Sequence, residues 1–114
     1  MNEYNPDNWV VLKIKEGKGT FPFYKVLAGW SGGYLDGDSW RMNSGVTSVE
    51  DDGDYFKFYG SSGSCYRCYK ESYCLRMNNA GVYNRLVEHQ KFKGQIILMP
   101  EDTDWMSIDW NNEI

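Results

Sequence analysis

Val49-Glu50-Asp51-Asp52-Gly53-Asp54-Tyr55-Phe56-Lys57-Phe58-Tyr59 is the stretch on which the fold reading turns. Its centre pairs Asp with Gly, and that dipeptide supplies the positive φ that a tight hairpin needs. The residues that follow alternate, so Phe56 and Phe58 share one face of an extended strand over residues 55–59 and point inward. A polar, glycine-bearing turn between two alternating runs is the signature of antiparallel pairing.

The same grammar extends toward the start of the chain. Residues 39–49 read as one strand, preceded by a Gly- and Asp-rich loop, Ser31-Gly32-Gly33-Tyr34-Leu35-Asp36-Gly37-Asp38. Before it, residues 20–30 read as a strand with Pro22 near its beginning, where a missing donor is tolerated, and with Tyr24, Val26, Ala28 and Trp30 on one face. Glu16-Gly17-Lys18-Gly19 reads as a turn. Trp9-Val10-Val11-Leu12-Lys13-Ile14 reads as the first strand, with Val10, Leu12 and Ile14 together, behind a turn at Asn5-Pro6-Asp7-Asn8.

Beyond Tyr59, Gly60-Ser61-Ser62-Gly63 closes another hairpin, and residues 65–77 read as a fifth strand, continuous or broken near Lys70-Glu71-Ser72. The period then changes. Val82, Tyr83, Leu86 and Val87 fall on one face of a helix, which the spacing places at about 79–91, with Asn78 or Asn79 as its cap. Gln95-Ile96-Ile97-Leu98-Met99 reads as a buried strand stopped by Pro100, and Trp105-Met106-Ser107-Ile108-Asp109-Trp110 as a last strand or a docked tail. The expected fold class is mainly β: a small antiparallel barrel with one short helix, in which closure removes exposed strand edges.

The 114 residues fit a single domain, 1–114. Nine Tyr, five Trp and five Phe bring the aromatic share to 17%, which favours pleated, half-buried surfaces. A net charge of −4 argues against broad, nonspecific phosphate binding, though not against a local basic patch. No run approaches the ~18 apolar residues of a membrane span, and no signal peptide is read at Met1-Asn2-Glu3-Tyr4. Three closely spaced cysteines, an odd number, point to a reducing, cytoplasmic setting.

Cys65-Tyr66-Arg67-Cys68, Cys74 and His89 are four soft groups that could hold zinc and staple the domain. Their spacing matches no common zinc module, and residues three apart in an extended strand face opposite ways, so the cysteines read as structural thiols and no metal or other cofactor is expected. The acidic clusters lack the alternating oxygens of a calcium loop. One histidine, no phosphate loop, no dinucleotide fingerprint and no nucleophile elbow leave no catalytic group to name, so the expectation is not an enzyme.

What remains is polar and aromatic. Ser39-Trp40-Arg41-Met42-Asn43-Ser44-Gly45 lies across the Asp-Gly hairpin from Phe58-Tyr59-Gly60-Ser61. Trp and Tyr stack on bases, Arg pairs with phosphate, and Asn reads a base edge, although Trp40 and Met42 also alternate as core residues do.

The order of these features resembles the Sm/Lsm family of RNA-binding proteins. Lys25-Val26-Leu27-Ala28-Gly29 followed by Asp38-Ser39-Trp40-Arg41-Met42-Asn43 is similar to that family's first motif, and Tyr55-Phe56-Lys57-Phe58-Tyr59-Gly60-Ser61 to its second. The likeness covers residues 9–70. It departs by one extra residue between Asp38 and Met42, by Tyr59 where the family carries Arg, by the long loop after Gly29, and by having no leading helix before Trp9. It implies a strongly bent barrel related to SH3-like folds, assembly as a homo-oligomer, and binding of single-stranded RNA by Trp40 or Arg41 with Asn43, Gly60 and Ser61, and with Tyr59 in the place of the family's Arg. Trp9-Val10-Val11-Leu12-Lys13 and Tyr24-Lys25-Val26-Leu27-Ala28-Gly29-Trp30 also resemble small proteins of marine bacteriophages, above all cyanophages, a likeness that carries no activity with it. Set beside RNA binding stands a protein–protein module for phage assembly or host interaction, motivated by the acidic balance and by aromatic residues of the kind that anchor interfaces.

Overall fold

The computed structural model describes residues 2–15, 22–33, 37–76, 79–90 and 95–110; the side chains at 32–33, 37–38 and 89–90 lie outside that description. The strands are β1 (Glu3–Tyr4), β2 (Asn8–Lys15), β3 (Phe23–Gly33), β4 (Gly37–Met42), β5 (Val46–Asp52), β6 (Tyr55–Gly60), β7 (Cys65–Tyr69) and β8 (Gln95–Leu98), with one helix, α1 (Ala80–Gln90). They form two four-stranded sheets: a front sheet ordered β1-β7-β6-β5 and a central sheet ordered β4-β3-β2-β8. All the ladders are antiparallel except β1 on β7. Mainly β structure with one helix is therefore as expected from the sequence. The strands pair as two sheets, and no single closed ring of ladders is found among the described residues.

The Asp-Gly hairpin forms as expected, with Gly53 at φ 67 between β5 and β6, and Gly63 at φ 90 serves the next turn. The turn read at residues 16–19 and the first residues of the second strand lie outside the described residues. Much of the loop expected at 31–38 is strand instead, since β3 continues to Gly33 and β4 begins at Gly37. The strand expected over 39–49 is two strands in different sheets, with a corner at residues 43–45.

The corner has a physical cause. Gly45 sits at φ 138, a conformation other residues rarely adopt. Just before it, the Asn43 amide donates to the Val26 carbonyl at 3.1 Å, and the Val26 amide donates back to Asn43 Oδ1 at 2.9 Å. The side-chain carbonyl takes the place of a neighbouring strand's backbone oxygen, so β3 keeps its partner while the chain turns away.

β2 is buried on both faces because it is central in a three-layer stack. Trp9 and Val11 join Tyr24, Val26, Ala28, Val46, Phe58, Tyr66 and Cys68 between the sheets. Val10, Leu12 and Ile14 join Leu27 and Val82 under the helix. Phe58 is fully buried and Phe56 half-buried against the same core, as the alternation required. The fifth strand, read over residues 65–77 as continuous or broken near Lys70-Glu71-Ser72, is broken there: β7 ends at Tyr69 in a short 3-10 turn over Lys70–Ser72.

Two further expectations are corrected. β8 is not a buried strand: it pairs only with β2 among the described residues, its faces alternate between exposed and half-buried, and Ile97 is largely open. Asn79 stands at the cap position, its carbonyl accepting from the Tyr83 amide at 3.1 Å, but its side chain turns into the core. Its Oδ1 accepts from the Arg76 amide (2.8 Å) and from Asn8 Nδ2 (3.2 Å), and its Nδ2 donates to the Leu27 carbonyl (3.3 Å). Asn78 lies outside the described residues. Of the two readings of residues 105–110, the docked tail is the observed one. A 3-10 turn at Trp105–Ser107 buries Trp105 against Trp9 (6.0 Å between centroids) and Phe58 (5.9 Å), with Trp110 stacked on it at 6.5 Å.

Candidate binding surface

Trp40 stands on β4, an edge strand of the central sheet, directly across from Gly29 of β3. With no side chain opposite, the indole has no cross-strand partner to pack on. It is 47% exposed, although Met42, two residues on along the same face, packs into the core beneath α1. Helical spacing brings Val82, Arg85 and Leu86 to the helix surface that meets it. Trp40 and these three side chains line an open groove of about 260 Å³. A larger hollow, about 450 Å³, is lined by Asn2, Ser62, Gly63 and Ser64 and offers only hydroxyl, amide and backbone groups.

Charge is divided between the layers. β2, β3, β4, α1 and β8 carry Lys13, Lys15, Lys25, Arg41 and Arg85 against Asp38 and Glu88. The front sheet carries Lys57 and Arg67 against Glu3, Glu50, Asp51 and Asp52, and segment 99–110 adds four more acids and no Lys or Arg. The ion pairs among the described residues, Lys57–Asp52, Arg67–Asp52 and Lys70–Asp51, all lie on the front-sheet side. Arg41 and Arg85 take part in none of them. The net negative charge of the chain therefore conceals a positive balance on the central sheet and helix, with Arg41 turned toward the front sheet and Arg85 toward the groove.

The six residues picked from the sequence do not form one pocket. Arg41, next to Trp40, lies on the opposite face of β4, with its guanidinium 4.6 Å over the Tyr4 ring. Asn43 is 3% exposed and serves the corner. Its Nδ2 is buried with no hydrogen-bond partner among the described residues. Gly60 is buried beside it: a Cβ there would come within 3.1 Å of Ser44 Oγ and 3.4 Å of Asn43 Nδ2. The Ser61 amide donates to the Gly45 carbonyl and its hydroxyl to Ser44 Oγ, both at 3.0 Å. Asn43, Gly60 and Ser61 thus converge, as the motif likeness implied, but on a packed corner. Tyr59 donates to Glu50 Oε1 at 3.2 Å, and burial followed by that bond pushes its phenol up to about 12.

Arg85 and Tyr4 were missed. The helical period placed Val82 and Leu86 on the apolar face, so the residue between them could have been nominated, but not the strand it meets. Nothing in the sequence brings Tyr4 to Arg41 across 37 positions.

The cysteines behave as thiols of the interior. Cys68 lies wholly in the core, where burial raises its thiol well above the ordinary value. Cys65, three residues earlier, faces the other side of β7, next to Tyr59. Cys74 Sγ accepts from Arg76 Nε at 3.3 Å. Among the described residues no three His, Cys, Asp or Glu side chains gather to hold a metal, and the His89 side chain lies outside the description. No described helix is long and apolar enough to cross a membrane. The chain matches no protein-family model, no curated protein and no solved structure.

Proposed function

We propose that this protein is a non-enzymatic binding module for single-stranded nucleic acid and that its contact surface is the groove between β4 and α1. The observation that carries the reading is Trp40, half-exposed on an edge strand and lining one groove with Arg85. An open indole stacks on any base, and a neighbouring Arg takes the phosphate that comes with it. The positive balance of the central sheet and helix, with Arg41 and Arg85 on opposite faces of β4, supports the same ligand. The sequence likeness to Sm-like RNA binders points the same way, with the stacking residue retained at Trp40 and the Asn43–Gly60–Ser61 group acting as the corner that orients β4.

The proposal includes a strongly bent, Sm- or SH3-like barrel working as an oligomer in a reducing cytoplasm. Two features support the bent shape. The chain carries β4 into β5 through the Asn43 corner. A parallel bridge at Trp9–Tyr73, with the Cys74 amide donating to the Trp9 carbonyl at 3.0 Å, ties the end of the front sheet to the central one. A second reading, a protein-docking module, is favoured by Met106, which is 52% exposed within the acidic segment 99–110.

Anisotropy titration with a labelled oligouridylate of about eight nucleotides, within the ~4–16 span of single-strand sites, tests the proposal at low salt. Trp40→Ala should weaken binding by about tenfold or more, since base stacking contributes ~1–3 kcal/mol, and Met106→Asp should leave it unchanged. A wild-type protein that does not bind would end the nucleic-acid reading.

A further inference from the structure

We infer that the bound strand crosses the outer edge of β4, so that a base on Trp40 and a phosphate on Arg41 grip the strand from its two faces, with Tyr4 as the positioning residue for Arg41. The inference rests on the reading of Trp40 as a stacking residue and adds a second contact point on the far side of the same strand.

Consecutive residues of a β-strand project to opposite faces, and β4 pairs only with β3 among the described residues. Its other edge is therefore where a ligand can pass from one face to the other. Trp40 projects toward α1 and Arg41 toward the front sheet. Tyr4 is held in place from several sides. Its ring meets Trp30 edge-on at 6.5 Å and Tyr66 at 5.1 Å, and β1 is paired to β7. Trp30 is in turn anchored by a 3.0 Å bond from Nε1 to the Asn5 carbonyl. A guanidinium laid over such a ring uses one π-face and keeps its in-plane N–H donors for another partner.

The acids nearby do not take that place. Asp7 Oδ2 accepts from the Ser31 amide at 2.8 Å, and Glu3 alternates to the other face of β1 from Tyr4. Arg41 is exposed and makes no ion pair among the described residues. Side chains on the two faces of a strand reach apart by roughly 10 Å, the depth that one sheet layer occupies. A mononucleotide cannot reach both Trp40 and Arg41, whereas a short oligonucleotide can.

The test compares wild type, Trp40→Ala, Arg41→Ala, Tyr4→Phe and Tyr4→Ala for binding of the labelled oligouridylate over a range of salt, with uridine monophosphate as the short probe. Arg41→Ala should weaken the oligonucleotide about tenfold and lower the slope of log affinity against log salt by about 0.7, the contribution of one phosphate contact on a single strand. Tyr4→Phe keeps the ring and should bind as wild type, while Tyr4→Ala should shift affinity and slope in the direction of Arg41→Ala. Uridine monophosphate should respond to Trp40→Ala and not to Arg41→Ala. If Trp40→Ala weakens the oligonucleotide but Arg41→Ala leaves affinity and slope unchanged, the grip is wrong and the stacking site stands. If the wild type does not bind, both fall.

Discussion

Asn43 shows how much one polar side chain can decide. Its Oδ1 accepts from the Val26 amide at 2.9 Å, and both groups are buried. Asn43→Ala should therefore leave an orphaned donor at the corner and destabilise the fold by about 1–3 kcal/mol, measured as a lower denaturant midpoint at unchanged slope. At the same scale, the tyrosines and thiols of the interior set a limit on the alkaline side. Tyr66 and Tyr73 are raised from the ordinary 10.0 to about 12, chiefly by burial, and Cys68 is raised well above 9.0 for the same reason. These groups are neutral in the folded chain and would ionise earlier when unfolded. Their contribution is complete below about pH 9 and is lost as pH rises toward 12 and beyond. Stability should hold steady through neutral pH and then fall, read as a denaturant midpoint that drops between about pH 9 and 12. A midpoint that does not drop over that range would show that these rings are more open than described.

Among the elements, segment 99–110 carries more weight than its length suggests. It hangs from β2 through the Met99 amide on the Val11 carbonyl at 3.0 Å and through the Tyr73 hydroxyl, which donates to the Met99 carbonyl. It ends by placing Trp105 against three rings of the inter-sheet core. Trp105→Ala should cost about 3–5 kcal/mol, as for other buried aromatics, visible in a urea titration. Trp40→Ala should be nearly neutral in the same titration because its ring is half in water. That contrast separates a core indole from a surface one among five in the chain. The tail also shows where periodicity stops helping. Trp105, Ile108 and Trp110 fit no strand or helix period, and an irregular segment docks by shape, which local patterning does not encode. The helix was legible because Val82, Tyr83, Leu86 and Val87 repeat at its own period. β8 was misjudged because a short apolar run looks the same whether it is central or at an edge.

For the whole molecule, the central sheet is the shared wall of both cores: Trp9 and Val11 face one, and Val10 and Leu12 the other. Neither outer layer can leave without uncovering it. Unfolding should accordingly be a single transition, with tryptophan fluorescence and far-ultraviolet circular dichroism giving coincident curves. Separate midpoints would mean that the helix layer detaches by itself. The turns at Gly53 and Gly63, the alternation that buries Phe58, and the helix at 80–90 were set by the sequence alone, because each depends on neighbours within a few positions. The layer each strand joins, the division of residues 39–49 at Asn43, and the placing of Trp40 beside Arg85 and of Arg41 on Tyr4 were decided only by tertiary structure. Those contacts join residues dozens of positions apart, and their energy comes from surfaces that meet only when the sheets and helix pack together.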